Sequence, residues 1–300
     1  MNFKKIGMLV LATLIAATAF GPSKAFADAA PGDVIVTLGA NLTPDQRQSM
    51  LNEMDVDENS AQIVTVNNSE EHKYLDKYLS QSQIGTRSIS SSKITIEKSG
   101  SGLTASTHNI TYVSKDMYIN ALATAGVKDA DVYVTAPFPV SGTAALTGLI
   151  KAYEAKTGEV IPEAKKQVAN EEVVTTAELG NQDNIGKQKA ADLVTAIKDN
   201  LAKNKPSSRA DVEQAVRDAA NQVNVKLSDA DVQKLVDLFD KMRTLHINWG
   251  QVGNQMQQLK DQVSQLANSD QTKGFMAQVF QAVGDFFSSI FNALSSLVQK

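Results

Sequence analysis

Residues Val132–Lys151 have the sequence VYVTAPFPVSGTAALTGLIK, and this stretch changes its pattern twice. Its first residues alternate in the manner of a strand, two prolines and a glycine then interrupt the alternation, and small and apolar residues follow at helical spacing. A strand, a turn and a helix in this order are typical of an α/β architecture. Enzymes and phosphate-binding proteins often place catalytic or ligand-binding groups at such a turn, so this turn is a candidate binding site.

The turn residues Ser141, Gly142 and Thr143 form a candidate site. Ser141 occupies the expected N-cap position, where its hydroxyl could accept a backbone N–H of the first helical turn. The free N–H groups that begin the helix could instead hold a carboxylate or phosphate. No G-x-S-x-G elbow or Walker lysine accompanies the serine. The sequence therefore leaves helix capping and anion binding open, and it predicts no catalytic residue.

The region 28–158 is predicted to be an α/β domain, because strand-like and helical patterns alternate along it. The segments DVIVTLG and AQIVTVNN are predicted strands. Two further alternating segments flank Gly100–Gly102 and predict an antiparallel hairpin. An offset of 71 residues also aligns Thr43 with Ser114 and Asp45 with Asp116. This match suggests a duplicated β-α-β-α unit, although ordinary α/β alternation would also produce part of it.

The region 159–268 is predicted to be entirely helical. Apolar residues recur there at helical spacing in segments near 163–178, 185–203, 208–223 and 229–245, and a glutamine-rich helix follows near 252–266. Ser208 and Ser228 stand at expected helix starts. The predicted fold class is therefore α+β, with an N-terminal α/β domain followed by helices.

Residues 1–27 have the pattern of a signal peptide. Lys4 and Lys5 precede an apolar run to Phe20, and Ala25-Phe26-Ala27 supplies small residues at the cleavage positions. The apolar run is shorter than the ~20 residues needed to span a bilayer. We therefore expect export, with cleavage before Asp28, to the extracellular space or the cell envelope. The chain contains no cysteine, which excludes disulfides, thiolate metal sites and a lipoprotein anchor.

The charge of the chain argues against nucleic-acid binding. The formal net charge is −4, and it becomes −7 when the lysines of the leader are removed. An acidic protein gains no counterion-release drive toward nucleic acid. Partners compatible with this balance are a membrane surface, a cell-wall polymer or another protein.

Residues 269–300 predict an amphipathic, phenylalanine-rich helix with apolar residues at period 3.6. This stripe could contact a membrane or a partner's groove. It could equally pack against the preceding helices or form an oligomer. The expected contact residues are Phe275, Phe280, Phe286, Phe287, Phe291 and Leu294.

Other motifs give no coherent catalytic or metal site. Ser90–Lys93 matches S-x-x-K, and K-T-G follows at 156–158, but the first lies in a predicted strand and the second just after a helix. The three histidines have no partner at i, i+4. Asp55, Asp57 and Asn59 resemble the start of a calcium loop that lacks its glycine and its final carboxylate. We therefore expect no metal and no cofactor.

Four stretches together resemble a known family: GDVIVTLGANLT, IGTRSISSSKITI, YVTAPFPVSGTAALTGLIKAYE and INWGQV. They are similar to the YpuA-type family of uncharacterised secreted proteins of Gram-positive bacilli, along nearly the whole chain after the leader. The resemblance implies export and a shared domain of unassigned function. It supplies no catalytic or binding residue.

The function predicted from these observations is that of an exported, non-enzymatic protein of the envelope or extracellular space. It would bind a partner, a surface polymer or a membrane. A secreted hydrolase acting on envelope material is the alternative from another class, and a self-assembling scaffold is a third possibility. A pocket joining Ser141 to a histidine or carboxylate would favour the hydrolase.

Overall fold

The structure is a computed structural model that describes residues 29–59 and 61–268. Within these residues the strands are β1 (Val34–Gly39), β2 (Gln62–Val66), β3 (Ser91–Ile96), β4 (Leu103–Thr107) and β5 (Ala130–Thr135). The helices are α1 (Pro44–Glu53), α2 (Asn68–Leu75), α3 (Gln81–Ile84), α4 (Lys115–Ala125), α5 (Thr143–Thr157), α6 (Glu163–Gly180), α7 (Lys187–Asn204), α8 (Arg209–Gln222), α9 (Asp229–Thr244) and α10 (Trp249–Asn268). The fold is α+β, as the sequence predicted.

The strands form one mixed sheet with the order β2-β1-β3-β5-β4. The outer pairs β1–β2 and β4–β5 are parallel, whereas β3 runs antiparallel to both of its neighbours. The central strands are the most buried, because helices cover both faces of the sheet there.

The predicted hairpin between β3 and β4 is wrong in its pairing. The chain does turn at Gly100–Gly102, where the Asp129 carboxylate accepts the N–H groups of both glycines at 3.0 and 2.9 Å. However, β5 lies between β3 and β4 and is hydrogen-bonded to each of them. Alternating side chains identify two strands, but they do not specify which strand each will pair with.

The predicted repeat holds for element order but not for packing. Each half contains two parallel strands joined by a helix, and Thr43 and Ser114 are both N-caps, as the alignment required. Helix α1 packs against the sheet face that includes Val36, whereas α4 belongs to the core on the face that includes Ile35. Consecutive strand residues point to opposite faces, so the two helices lie on opposite sides of the sheet.

Helix α5 is seated directly on the central strands through a glycine. A Cβ on Gly148 would lie 2.5 Å from Thr37 Cγ2, so no larger residue fits at this contact. The Thr37 hydroxyl donates to the Gly148 carbonyl at 3.1 Å. This contact fixes α5 relative to β1 and thereby positions the N-terminus of the helix.

The helical half packs onto the face that carries α4 and α5, and one apolar core continues from the sheet into α6–α10. The predicted helix starts at Ser208 and Ser228 are confirmed, each with a reciprocal hydrogen bond from the third helical residue. Trp249 begins α10 and packs against the core at the junction with α9. None of the helices within residues 29–268 combines the length and apolar character needed to span a bilayer.

A buried ion pair joins α6 and α7 beneath α4. Lys198 Nζ lies 2.6 Å from Glu172 Oε1, and the two side chains are 0% and 1% exposed. Lys198 also donates to the Asn120 carbonyl at 2.5 Å, and the Thr124 hydroxyl donates to Glu172 Oε2 at 2.5 Å. Burial lowers the pKa of Lys198, and the attraction of Glu172 opposes this effect. Three helices thus meet at one polar cluster.

Two predicted segments lie outside the described residues. They are the signal peptide over 1–27 and the phenylalanine-rich helix over 269–300, with its contact residues from Phe275 to Leu294.

Candidate functional site

A cavity of about 320 Å³ opens at the carboxyl end of β5, where the chain passes into α5. In sheets with parallel strands, ligands commonly bind outside the carboxyl ends of those strands. We call this cavity the Ser141 cleft. The lining residues that matter below are Glu71, Ile84, Arg87, Ser90, Phe138 and Ser141.

Side-chain and backbone hydrogen bonds hold the two loops of the Ser141 cleft in place. The loop before β3 is fixed by Asn41, whose N–H donates to the Ser88 carbonyl and whose Oδ1 accepts the Ser88 N–H, at 3.0 and 2.9 Å. The loop after β5 is fixed by Asn109, whose amide donates to the Ala136 carbonyl at 2.9 Å. The cleft is therefore formed by anchored backbone.

The N-cap of α5 is Gly142, which corrects the prediction that Ser141 caps this helix. Gly142 has φ +89°, and a Cβ there would lie 2.5 Å from both Ile110 Cγ2 and the Tyr118 hydroxyl. The Gly142 carbonyl accepts the Tyr118 hydroxyl at 2.6 Å. The Ser141 hydroxyl bonds the Thr143 side chain and makes no capping bond to a backbone N–H of the helix.

Ser141 is instead the first member of a chain of polar groups that ends at a buried carboxyl group. Its hydroxyl lies 3.0 Å from the Thr143 hydroxyl, which donates to Glu71 Oε1 at 2.5 Å. Glu71 is 1% exposed. Burial raises its pKa, and the hydrogen bonds from Thr143 and Asn68 oppose the shift. The sequence did not suggest this connection, because Glu71 belongs to α2.

Arg87 supplies a cation to the Ser141 cleft. Its side chain is exposed and makes no ion pair or hydrogen bond with any residue that the structure describes. The other four arginines each pair with a carboxylate, at Glu58, Asp237, Glu213 and Asp240. Arg87 is thus the one guanidinium of residues 29–59 and 61–261 that is available to a ligand.

Ser90 adds a second unpartnered polar group. The residue is 5% exposed and lines the cleft, and its hydroxyl has no hydrogen-bond partner among the described side chains and backbone. This hydroxyl is not among the fully buried unpaired side-chain atoms of the described residues, so it is accessible from the cleft. A bound ligand would satisfy this group.

The assembled groups favour an anion. The first N–H groups of α5 have no intrahelical acceptor, and the helix dipole places a partial positive charge of about half a unit there. Arg87 and the hydroxyls of Ser90 and Ser141 add donors, while Ile84 and Phe138 form an apolar wall. This set can bind a carboxylate or phosphate oxygen beside an apolar group.

The composition of this set bears on the catalytic and metal-binding alternatives. No histidine lines the Ser141 cleft, and the His72 ring is held between Asp76 and the Gly85 carbonyl. Within the described part of the chain, no three His, Cys, Asp or Glu side chains are grouped so that they could hold a metal ion.

Comparison with known proteins places the chain in a family. The family model described as "Protein of unknown function (DUF1002)" matches residues 38–259. The chain belongs to the DUF1002 family. It is also 54% identical to "Uncharacterized protein YpuA" of Bacillus subtilis (strain 168) over 293 residues, which cover 97% of this chain and 98% of that protein. No solved structure matches the chain.

The DUF1002 match contains every residue that lines the Ser141 cleft, so the cleft is built from the part of the chain that defines the family. The family match and the 54% identity to YpuA confirm the YpuA-type resemblance that the sequence predicted.

Sequence reasoning found only one side of the site. Ser141, Gly142 and Thr143 were identified from the strand-to-helix turn, but Arg87 and Glu71 were not, and Ser90 was considered only in the S-x-x-K motif. The sequence feature that could have indicated Arg87 was its place in a glycine-containing loop before a predicted strand. That signal is too common to indicate a site.

Proposed function

We propose that this protein is exported and acts, without catalysing a reaction, by binding an anionic surface polymer of the cell envelope in the Ser141 cleft. The observation that carries the proposal is the unpaired Arg87 guanidinium beside the N-terminus of α5. Arginine and backbone N–H groups together are the donors that proteins commonly use for phosphate and carboxylate oxygens.

The chemistry of the cleft supports an anionic ligand over a neutral one. Burial raises the pKa of Glu71, which makes this carboxyl group less acidic than an exposed glutamate. The Thr143 hydroxyl occupies one oxygen of this carboxyl group, which reduces its capacity to compete for the donors of the cleft. The positive charge that the cleft offers to a ligand is that of Arg87 and the helix N-terminus.

The export part of the proposal rests on the leader sequence. Two lysines, a short apolar run and an Ala-Phe-Ala cleavage motif are the features that signal peptidase substrates share. N-terminal sequencing of the protein recovered from culture medium and from the envelope fraction tests this part. The expected first residue is Asp28, and an intact leader on all recovered protein would contradict it.

The binding part is tested by co-sedimentation of the purified protein with isolated Gram-positive cell walls, before and after removal of their phosphate-bearing polymers. Arg87→Gln should weaken binding about tenfold or more, because hydrogen bonds to charged groups contribute about 1.5–3 kcal/mol. Arg217→Gln is the matched control, because that arginine is also exposed but lies on α8 and pairs with Glu213. Inorganic phosphate should compete with the walls.

Two results would contradict the binding proposal. The first is Arg87→Gln protein that sediments with walls as well as Arg217→Gln protein does. The second is binding that is unchanged after the phosphate-bearing polymers are removed. Binding of wild-type protein to phospholipid vesicles or to a protein partner instead of walls would assign the site to a different ligand.

A secreted hydrolase is the second candidate, and one specific observation favours it. Ser141 does lie in a cleft and is linked to a carboxyl group through Thr143. It ranks second because Glu71 contacts the serine only through another hydroxyl and no histidine lines the cleft to serve as a base. Turnover of wall or peptide substrates that Ser141→Ala abolishes, with the fold intact, would make the hydrolase the better assignment.

A further inference from the structure

A second cavity, of about 180 Å³, lies between α2, α5 and α6, apart from the Ser141 cleft. We call it the Thr147 cleft. No residue lines both cavities. Its lining combines two buried polar side chains, charged groups from three ion pairs and a small apolar surface, and each of these restricts what could bind there.

The hydroxyl of Thr147 has no partner in the described part of the chain, although the residue is only 6% exposed. A threonine within a helix commonly returns its hydroxyl to the carbonyl four residues earlier. Thr157, Thr176 and Thr195 do so, at 2.8, 2.6 and 3.0 Å. The buried helical threonines Thr124 and Thr143 donate instead to glutamates. Among the buried helical threonines that the structure describes, Thr147 is therefore the one without a hydrogen-bond partner, and it lines a cavity.

Asn170 is a second exception in the same lining. It is 1% exposed, and its amide nitrogen donates to the Lys166 carbonyl at 2.8 Å. Its amide oxygen has no donor among residues 29–59 and 61–261. The oxygens of the buried Asn120 and Asn200 accept from Thr195 and Gln222, at 3.4 and 3.3 Å. The cavity thus offers an unpaired acceptor beside an unpaired hydroxyl.

Three ion pairs border the Thr147 cleft, and each pair is closed. Lys73 Nζ lies 2.8 Å from Glu163 Oε1. Lys151 Nζ lies 2.6 Å from Glu70 Oε1, and Lys166 Nζ lies 2.8 Å from Glu154 Oε2. A charged ligand would have to separate one of these pairs and leave its other member uncompensated. A neutral ligand that both donates and accepts hydrogen bonds can bind the remaining lone pairs and N–H groups without separating them. The charges therefore favour a neutral, hydroxyl-bearing ligand.

The size and apolar surface of the cleft favour a ring. Tyr74 and Ile150 supply the apolar part of the lining. A cavity of ~150 Å³ is known to hold one benzene molecule, so about 180 Å³ accommodates one six-membered ring. Sugars present an apolar C–H face and several hydroxyls on such a ring.

We infer that the Thr147 cleft binds one neutral sugar residue, with hydroxyls bonded to Thr147 and Asn170 and to the bordering ion pairs. The inference does not depend on the anionic ligand proposed for the Ser141 cleft, since the two cavities have separate linings. The sugar could be a free monosaccharide or one unit of a glycan, because both present the same ring.

The test is titration of the purified full-length protein with glucose, N-acetylglucosamine and the β-1,4-linked trimer of N-acetylglucosamine, followed by saturation-transfer NMR. Thr147→Val removes the hydroxyl and keeps the shape of the side chain. It should weaken sugar binding about fivefold, the equivalent of one hydrogen bond of about 1 kcal/mol. It should not lower the stability of the protein, because the hydroxyl makes no bond there. Tighter binding of the trimer than of the monosaccharides would identify a glycan unit as the ligand.

Thr176→Val is the matched control, because it removes a buried helical hydroxyl that is bonded within its own helix. It should leave sugar binding unchanged, as should Arg87→Gln in the Ser141 cleft. The inference is overturned if none of the three sugars binds, or if Thr147→Val and Thr176→Val weaken binding equally. Preferential binding of a free amino acid such as glycine would also overturn it, by showing that the cleft selects a zwitterion.

Discussion

Glu70 and Glu71 are consecutive residues of α2, yet their carboxyl groups line different clefts. Glu70 lines the Thr147 cleft and pairs with Lys151, whereas Glu71 lines the Ser141 cleft and accepts the Thr143 hydroxyl. Consecutive residues of a helix point in different directions, so these two carboxyl groups cannot face each other. The two sites are therefore separated by a single helix.

The two glutamates are expected to affect stability in opposite ways as the pH changes. Burial raises the pKa of Glu71 above 4.5, so the folded state holds its proton more tightly and stability falls as the pH rises through that pKa. Partial burial also acts to raise the pKa of Glu70, but the bonds from Lys151 and the Asn67 N–H outweigh it and lower the pKa below 4.5. The stability that Glu70 contributes is therefore present above pH 4.5 and lost as the pH falls through its lowered pKa.

Glu71→Gln should accordingly raise the free energy of unfolding at pH 7 and have little effect at pH 4. Glu70→Gln should lower it at pH 7, by no more than about 1 kcal/mol because the pair with Lys151 is partly exposed. Glutamine can retain the reciprocal cap of α2 in this control. Urea unfolding at several pH values measures both effects. Two variants with the same pH profile would show that the environments of the carboxyl groups do not differ as described.

The buried pair of Lys198 and Glu172 predicts strongly non-additive mutations. Lys198→Met should lower the free energy of unfolding by about 3–5 kcal/mol, because it leaves the Glu172 carboxylate buried without its counter-charge. The double variant Lys198→Met/Glu172→Leu should recover most of that loss, since an apolar pair of similar size needs no counter-charge. Urea denaturation of the single and double variants supplies the comparison, and a double variant less stable than either single variant would refute the account.

The contact between α10 and α7 depends on a glycine. A Cβ on Gly253 would lie 2.6 Å from Ala202 Cβ, whereas one on Gly250 would meet only Asn248 Oδ1, at 3.5 Å. Gly253→Ala should therefore cost about 1–3 kcal/mol through overpacking. Gly250→Ala in the same helix should be neutral or stabilising, by up to about 1 kcal/mol, because alanine favours helix. Thermal unfolding distinguishes the two, and equal effects would mean that the helices are not in close contact.

Deletion of residues 270–300 tests the predicted role of the phenylalanine-rich segment. If its apolar stripe attaches the protein to a surface, the truncated protein should shift from the envelope fraction to the medium. If the stripe mediates self-association, as the scaffold hypothesis requires, sedimentation velocity should show a smaller species after truncation. Unchanged partitioning together with an unchanged sedimentation coefficient would exclude both roles and leave packing against the protein's own helices.

The sequence was informative wherever the determining residues are close together in the chain. Ser208 and Ser228 were expected helix starts, and both are N-caps that accept a backbone N–H, as are the aligned pair Thr43 and Ser114. The helical segments after Pro162 were also predicted close to their observed bounds. These features depend on hydrogen bonds and side-chain periodicity over a few residues, which a single sequence displays directly.

Prediction failed where distant segments meet. The Ser141 cleft is lined by α2, the loop before β3 and the start of α5. No local sequence pattern indicates that Arg87 and Ser141 line the same cavity. The N-cap of α5 was assigned to Ser141 because serine is favoured there, but Ile110 and Tyr118 leave no space for a Cβ at the next residue, and Gly142 is the cap instead. Such steric constraints come from residues outside the turn.

The position of β5 between β3 and β4 also determines the order in which the sheet can assemble. When β3 and β4 have been synthesised, each strand still has an edge without a hydrogen-bonded neighbour. Both edges stay unpaired until α4 and β5 have also been synthesised. Sheet closure is therefore a late, non-local step, which is intrinsically slow. Until Ala130–Thr135 has been made, β3 and β4 remain open to other strands and to proteases, and the sheet gains its resistance to both only when β5 is inserted between them.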